Sequence, residues 1–386
     1  MAAKLFIRLF PSSVWKNLKS ITNITRSLSN DYVRVDEVGD KGILMLNRGN
    51  AMNATNLDML ETLSTNIKNW SNQKSLIIVK GVAGKAFSAG GDLRSLVESS
   101  SDVRRKIFRT EYEMNHVIAN LETPYIAFID GVTMGGGVGI SIYADYCIAT
   151  ENTLFGMPES SVGLFPDCGS SYFFPRLNEK IGYYLGLTGF RLRGPDVLHA
   201  GIATHYCDSA KIPEMEKALL SLKDAKNIGS VIDDYCQTPQ TEFILTKHLD
   251  QINKCFDASS VEEILDNLEK DNSEWAKQTI NMLRKLCPTS LKIIFRNLEL
   301  GKNLSLGECL QMEYRLALRL IAGKNFQEGV RALLITKDNN PNWDPSRIED
   351  VTDEYLSSFY KPLPNNEELP IDVKLNEDFH NLTPNK

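Results

Sequence analysis

Three segments of this 386-residue chain concentrate glycine where a β-rich run ends and a helix should begin. They are Lys85-Ala-Phe-Ser-Ala-Gly-Gly-Asp92, Gly131-Val-Thr-Met-Gly-Gly-Gly-Val-Gly139, and the stretch from Phe155-Gly-Met-Pro-Glu159 to Phe165-Pro-Asp-Cys-Gly169. A glycine turn that opens a helix offers unpaired N–H groups and the positive end of the helix dipole to negative charge. The triple glycine, followed by Val138, Ile140 and Ile142, has that form. Glu159 and Asp167 sit among Phe155, Pro158, Val162, Leu164 and Phe165, and a carboxylate amid apolar neighbours is costly unless it is used or paired. Alone, each feature is commonplace: glycine-rich turns are more often structural than catalytic, and an acid is more often a solvated surface charge. Their joint order and spacing carry the weight.

The elements that must position these residues follow from periodicity. From Asp31 onward short β-rich runs alternate with longer helical periods, the pattern of an α/β protein built around a mostly parallel sheet. Tyr32 to Val35 and Ile43 to Leu46, joined by Gly39, Asp40, Lys41 and Gly42, predict a hairpin. Leu57, Leu60, Leu63, Ile67 and Trp70 keep helical spacing behind a Thr55 cap, and Leu76 to Val79 and Tyr125 to Ile129 are buried strands. Beyond about Lys226 the β runs stop and amphipathic helices take over, with Ser260 and Glu263 as a capping box ahead of Val261, Ile264, Leu265 and Leu268. No internal repeat or low-complexity tract is visible.

The glycine turns resemble those of the crotonase (enoyl-CoA hydratase and isomerase) superfamily, in which each of two turns supplies one backbone N–H to an oxyanion hole. The resemblance assigns those donors to Gly91 and Gly136. A thioester carbonyl turning into an enolate or a tetrahedral oxyanion gains roughly 3 to 4 kcal/mol from each preorganised amide. More narrowly, the chain resembles the 3-hydroxyisobutyryl-CoA hydrolases of that superfamily from about Tyr32 to Trp343. The motifs are Glu111-Tyr112, Thr133-Met-Gly-Gly-Gly-Val-Gly139, Met157-Pro-Glu159, Gly163-Leu-Phe-Pro-Asp167, Leu187-Thr-Gly-Phe-Arg191, Ala200-Gly-Ile-Ala-Thr-His205, Pro288-Thr-Ser-Leu-Lys292, Met312-Glu-Tyr-Arg315 and Phe326-Gln-Glu-Gly-Val-Arg331. Several lie in the helical half, which ordinary hydratases are expected to lack at this length.

The resemblance implies a crotonase-type core of ββα repeats over 31–225; the helical region over 226–360 then covers the acyl site or supports assembly, and the tail over 361–386, with four prolines and many acids and asparagines, is expected to be flexible. The resemblance makes Glu159 the catalytic carboxylate, acting through a mixed anhydride or as base for water, a choice the sequence leaves open. Asp167 then holds the substrate's 3-hydroxyl and acts in catalysis with Glu159, and Glu111, in a polar stretch, lines the acyl pocket with Gly136. The implied reaction is hydrolysis of 3-hydroxyisobutyryl-CoA, and of 3-hydroxypropionyl-CoA, to the free acid and CoA in valine breakdown. It calls for no metal or prosthetic group, since CoA belongs to the substrate. Hydratases carry a first catalytic glutamate three residues after the middle glycine, where this chain has Gly139. Adding water across a double bond needs two positioned acid/base groups, whereas hydrolysis proceeds with one carboxylate and an oxyanion hole. The rival readings are therefore an enoyl-CoA hydratase or isomerase, opposed by Gly139, and a catalytically silent acyl-CoA-binding protein, opposed by retention of Glu159, Asp167 and both turns.

Composition narrows the partners. A net charge of −6 and a pI near 5.6 argue against nucleic acid. Seven scattered cysteines without a CxxC pair suggest neither disulfides nor a zinc site. No apolar run approaches the roughly 18 residues that span a bilayer. The histidines (His116, His199, His205, His248, His380) show no triad or metal spacing, and neither a GxSxG elbow nor a Walker A motif is present. A small-molecule acyl-CoA is the expected partner, and homo-oligomer formation is left open. The first thirty residues carry Lys4, Arg8, Lys16, Lys19 and Arg26 and no acid before Asp31, with Leu5, Phe6, Leu9, Phe10 and Val14 able to share a helix face. That is the composition of a mitochondrial transit peptide over 1–30, implying the matrix as destination.

Overall fold

The computed structural model describes residues 32–82, 86–364 and 366–373. The basic N-terminal segment, Lys85, His380 and the rest of 374–386 lie outside the described residues. Val33–Val38 (β1) and Lys41–Leu46 (β2) form the expected antiparallel hairpin across Gly39 and Asp40. Leu57–Trp70 (α1) follows, capped not by Thr55 but by Asn56, whose side chain accepts from Met59 N at 3.0 Å. The reason is tertiary. Thr55 is committed elsewhere, its N–H donating to Gly90 O and its carbonyl accepting from Asp92 N, so the helix starts one residue later.

Three ββα units come next. Leu76–Gly81 (β3), Ala86–Ser88 (β4) and Leu93–Glu98 (α2) form the first, which Ser101–Ala119 (α3) extends. Tyr125–Phe128 (β5), Val132–Met134 (β6) and Gly136–Ser141 (α4) form the second; Tyr146–Ala149 (β7), Leu154–Gly156 (β8) and Ser170–Phe173 (α5) form the third. Ile181–Thr188 (α6), Leu192–Arg193 (β9), Asp196–His199 (α7) and His205–Tyr206 (β10) complete the sheets. In each unit the first strand enters a six-stranded sheet, β1-β2-β3-β5-β7-β10, and the second enters a four-stranded sheet, β4-β6-β8-β9. The sequence reads as a single sheet because β4, β6 and β8 have three residues each, too few to display an alternation. Every glycine turn and every acid of interest falls after one of these short strands or on the helix beside them.

The large sheet is buried on both faces. Ile77, Val79, Tyr125 and Ala127 share a core with the inner faces of α1 and α3, while Leu76, Ile78, Ile126 and Phe128 pack under Ile212–Ser221 (α8) and Ile228–Tyr235 (α9). This is why the strands read as continuous apolar runs. After Tyr235 the described elements are helical: Leu249–Phe256 (α10), Val261–Asp271 (α11), Glu274–Leu283 (α12), Pro288–Gly301 (α13), Leu306–Ile321 (α14), Lys324–Val330 (α15) and Asp353–Ser358 (α16). Ser260 caps α11 by accepting from Glu263 N at 3.1 Å, but the Glu263 carboxylate reaches Ser259 N rather than closing the box on Ser260.

A division at 225/226 does not coincide with a break in packing. Helix α9 lies on the sheet, α14 packs along α3, α13 packs on α5 and α6, and Leu291, Leu310, Leu316 and Phe326 join the core that holds Val79 and Tyr112. The tail is a correction. Its described part is docked: Leu369 is buried, Arg105 and Arg315 pair with Glu367 and Glu368 at 2.6 and 2.9 Å, and Asp372 O meets His116 Nε2 at 3.0 Å. The acids that suggest a solvated tail have arginine partners on α3 and α14, which composition cannot reveal. No helix among the described residues is long and apolar enough to cross a membrane.

Candidate active site

Glu111, Glu159, Asp167, Gly91 and Gly136 all line one cavity of about 130 Å³. Each arrives on a different element. Glu111 projects from the middle of α3; Glu159 opens the tight turn Glu159–Val162 after β8; Asp167 sits in the loop before α5, where Cys168 (φ +56) and Gly169 (φ +82) both adopt left-handed backbone. Much of the remaining wall is apolar, with Leu93, Leu96, Ile107, Phe108, Met134, Val162 and Leu164, and Thr55, Asn56, Asp92, Ser95 and Ser161 interrupt it.

The two glycine turns meet across this cavity. Thr55 bonds to Gly90 O and Asp92 N, so the intervening Gly91 N–H points to the opposite side of its strand. Gly136 is the first residue of α4, and first-turn N–H groups have no acceptor within their own helix. Glycine lets the carboxyls approach the turn closely. A Cβ on Gly135, which has φ +49, would lie 2.8 Å from Glu159 Oε1, and one on Gly136 would collide with Glu111 Oε1. The turn and the two carboxyls are thus packed to contact.

Burial dominates the electrostatics. No lysine or arginine pairs with any of the three acids among the described residues. Burial, and then the Asp167 charge, pushes Glu111 up to about 8. Glu159 is raised well above the usual carboxylate range by burial, then by Asp167 and Glu111. Asp167 is raised by burial, against which Tyr112 acts by donating its hydroxyl to Asp167 Oδ2 at 2.7 Å. Glu111 Oε1 and Glu159 Oε2 are buried without a hydrogen-bond partner. Such orphaned atoms in a cavity are costly unless a ligand or a reaction uses them. One donor atom each from Glu111, Asp167 and Cys168 lies within 4.8 Å of the others, the one such trio among the described residues. Burial raises the Cys168 thiol and both carboxyls, which works against holding all three as the anionic donors a metal needs.

The sequence profile of the enoyl-CoA hydratase/isomerase family matches residues 41–360. This chain belongs to that crotonase family. Mitochondrial 3-hydroxyisobutyryl-CoA hydrolases of Rattus norvegicus and Homo sapiens are 46% and 45% identical to it, each over 86% of this chain and 89% of theirs. Among solved structures, a carnitinyl-CoA dehydratase from Mycobacterium thermoresistibile superimposes with a TM-score of 0.81 at 27% identity, over 88% of this chain and 98% of that one. An enoyl-CoA hydratase from Rhodobacter sphaeroides 2.4.1 gives 0.79 at 29% identity, over 88% and 100%. Crotonase chains with hydratase and dehydratase titles therefore extend through the helical half, and its presence does not separate hydrolases from them, contrary to the expectation from length.

The surroundings of Gly139 leave no room for a larger side chain. In this crotonase chain a Cβ at that position would come within 2.8 Å of both Asn115 Nδ2 and Cys168 Cβ. The space where a hydratase carboxylate would stand is already filled by Asn115 from α3 and Cys168 from the Asp167 loop.

Sequence reasoning missed several neighbours of the site. Tyr112, which orients Asp167, stands out in the sequence only as part of a motif. Its signal was available: Ile107, Phe108, Glu111, Tyr112, Met114, Asn115 and Ile118 make the buried stripe of α3, so helical spacing places Glu111 and Tyr112 on the inner face. Arg104, Arg105, Lys106, Arg109 and Glu113 between them make the segment look polar. Leu333, from the turn after α15, also lines the cavity, and nothing near it in sequence signals that.

Proposed function

We propose that this chain hydrolyses short 3-hydroxyacyl-CoA thioesters, 3-hydroxyisobutyryl-CoA foremost and 3-hydroxypropionyl-CoA with it, to the free acid and CoA in valine breakdown. The observation that carries the reading is the buried Glu159 carboxyl, with Oε2 unpartnered, packed against the turn that presents the Gly136 N–H in a cavity shared with Gly91. Two amides polarise the thioester carbonyl and hold its developing negative charge. Glu159 then either attacks the carbonyl carbon, expelling CoA thiolate and leaving a mixed anhydride for water to open, or takes the proton from a water that attacks directly. No metal or prosthetic group enters either route. Asp167, oriented by Tyr112, accepts the 3-hydroxyl, and Glu111 closes the acyl pocket beside Gly136. The cavity, about 130 Å³, is of the size that admits a short branched acyl group. The 45–46% identity to hydrolases over most of the chain supports the same reaction.

Likeness to a solved dehydratase and a solved hydratase favours hydration as a second reading, which the filled space at Gly139 opposes. Protein starting near Asp31, assayed on an acyl-CoA panel, is expected to release thiol from 3-hydroxyisobutyryl-CoA and to leave the enoyl absorbance of crotonyl-CoA unchanged. Loss of that absorbance at a rate comparable to hydrolysis would favour the hydratase, and no thiol release from any member would leave a binding protein.

Mitochondria as the setting follows from the relatives' names, and we infer the matrix from the acid-free basic segment 1–30. Import should remove that segment. Native protein that begins at residue 1 or 2, or is recovered full-length from the cytosol, would overturn this inference.

A further inference from the structure

The loop that presents Asp167 is held partly from outside itself. Cys168 and Gly169 are both left-handed, a conformation that costs a non-glycine residue on the order of 1 kcal/mol, and the helix that follows, α5, has four residues. What braces it is a carboxyl from the other half of the chain. Glu313, fully buried on α14, accepts from Gly169 N at 2.6 Å through Oε2, and from Ser171 N at 2.9 Å and Ser171 Oγ at 2.6 Å through Oε1. Tyr143 adds a bond from its hydroxyl to Cys168 O at 2.7 Å. Burying an acid here is unfavourable, since burial pushes Glu313 up to about 8 against the pull of those donors. An acid is nevertheless what the geometry calls for, because three donors converge on two oxygens. A glutamine amide would turn its NH2 group toward one of two backbone N–H donors, which have no rotational freedom to escape it.

We propose that Glu313 is a positioning residue for Asp167: by tying Gly169 and Ser171 to α14 it sets where the Asp167 carboxyl stands, and so governs the preference for 3-hydroxylated acyl groups. This rests on the reading of Asp167 as the hydroxyl anchor. It also gives the helical half a task in substrate choice that does not involve touching the substrate.

The test is the ratio of kcat/KM for 3-hydroxyisobutyryl-CoA to that for isobutyryl-CoA, measured in the wild type, Asp167→Ala, Glu313→Gln, Ser171→Ala and the Asp167→Ala/Glu313→Gln double variant. Glu313→Gln is expected to lower the ratio by about 10-fold, the order of a hydrogen bond to a charged group, with a smaller loss on isobutyryl-CoA. In the double variant the ratio should fall no further than in Asp167→Ala, because residues acting through one group are not additive. Ser171→Ala deletes one donor and keeps the acid, so about a 3-fold drop is expected; it tests the same link if Glu313→Gln does not fold. A lowered Tm with an unchanged ratio in both Glu313→Gln and Ser171→Ala would make Glu313 merely structural and overturn the proposal. An unchanged ratio in Asp167→Ala would instead overturn the anchor reading itself, and the proposal with it, so the two failures are told apart by that arm.

Discussion

Glu159→Gln should lower kcat on 3-hydroxyisobutyryl-CoA by on the order of 10² to 10⁴, the range for loss of a positioned nucleophile or base. The substitution keeps size and polarity, so KM should change little. The fold should tolerate it. Burial, then Asp167 and Glu111, hold the folded-state pKa of Glu159 above its ordinary value. A carboxyl raised in this way contributes stability that is fully present at low pH and is lost as pH rises through the folded pKa. Glutamine is neutral in both states and escapes this loss, so at neutral pH and above the variant should melt no lower than wild type. The same shift predicts the activity profile. Both routes need the ionised form, so the acidic limb of wild-type kcat/KM should lie above the usual carboxylate range and vanish from the residual activity of Glu159→Gln. Near-normal turnover by this variant would remove the central claim of the mechanism.

Asp167→Ala should cost the hydroxylated substrate about 1.5 to 3 kcal/mol, the range for a hydrogen bond to a charged group, which is roughly 10-fold to 150-fold in kcat/KM. Isobutyryl-CoA, which has no hydroxyl, should barely suffer or even gain, because in wild type it faces a buried carboxyl it cannot satisfy. Tyr112 sharpens the expectation. Its hydroxyl donates to Asp167 Oδ2, and in the alanine variant that buried donor loses its acceptor in free and bound enzyme alike, which lowers Tm and leaves the comparison of substrates intact. The diagnostic quantity is therefore the ratio between the two thioesters and not the absolute loss on either. Equal losses on both would assign Asp167 to the chemical step or to folding.

Both experiments start from residues that were legible in the chain, and the reasons they were legible are local. Gly135 and Gly136 end a short strand and begin a helix within two residues, Glu159 and Asp167 stand in an apolar stretch, and Gly139 occupies a position that a motif defines. Backbone freedom, capping and hydrophobic period are properties of a few consecutive residues, so the hairpin, β3, β5, α1 and the helical second half could also be read. Other features were decided only by packing. The Thr55 backbone was drawn away from capping α1 by Gly90 and Asp92, more than thirty residues on. Glu111 lies in a run of basic and polar residues, and only the docking of α3 against the glycine turn buries its carboxyl and pushes it up to about 8. Tyr112 meets Asp167 across 55 positions, and Glu313 meets Gly169 across 144. The four-stranded sheet that gathers the turns is assembled from strands too short to register as a pattern. A carboxyl's burial, its partners and its proton affinity are set by whatever surrounds it in space, and in this chain most of those neighbours come from distant sequence, brought together by strand order and by the helices closing over the sheet.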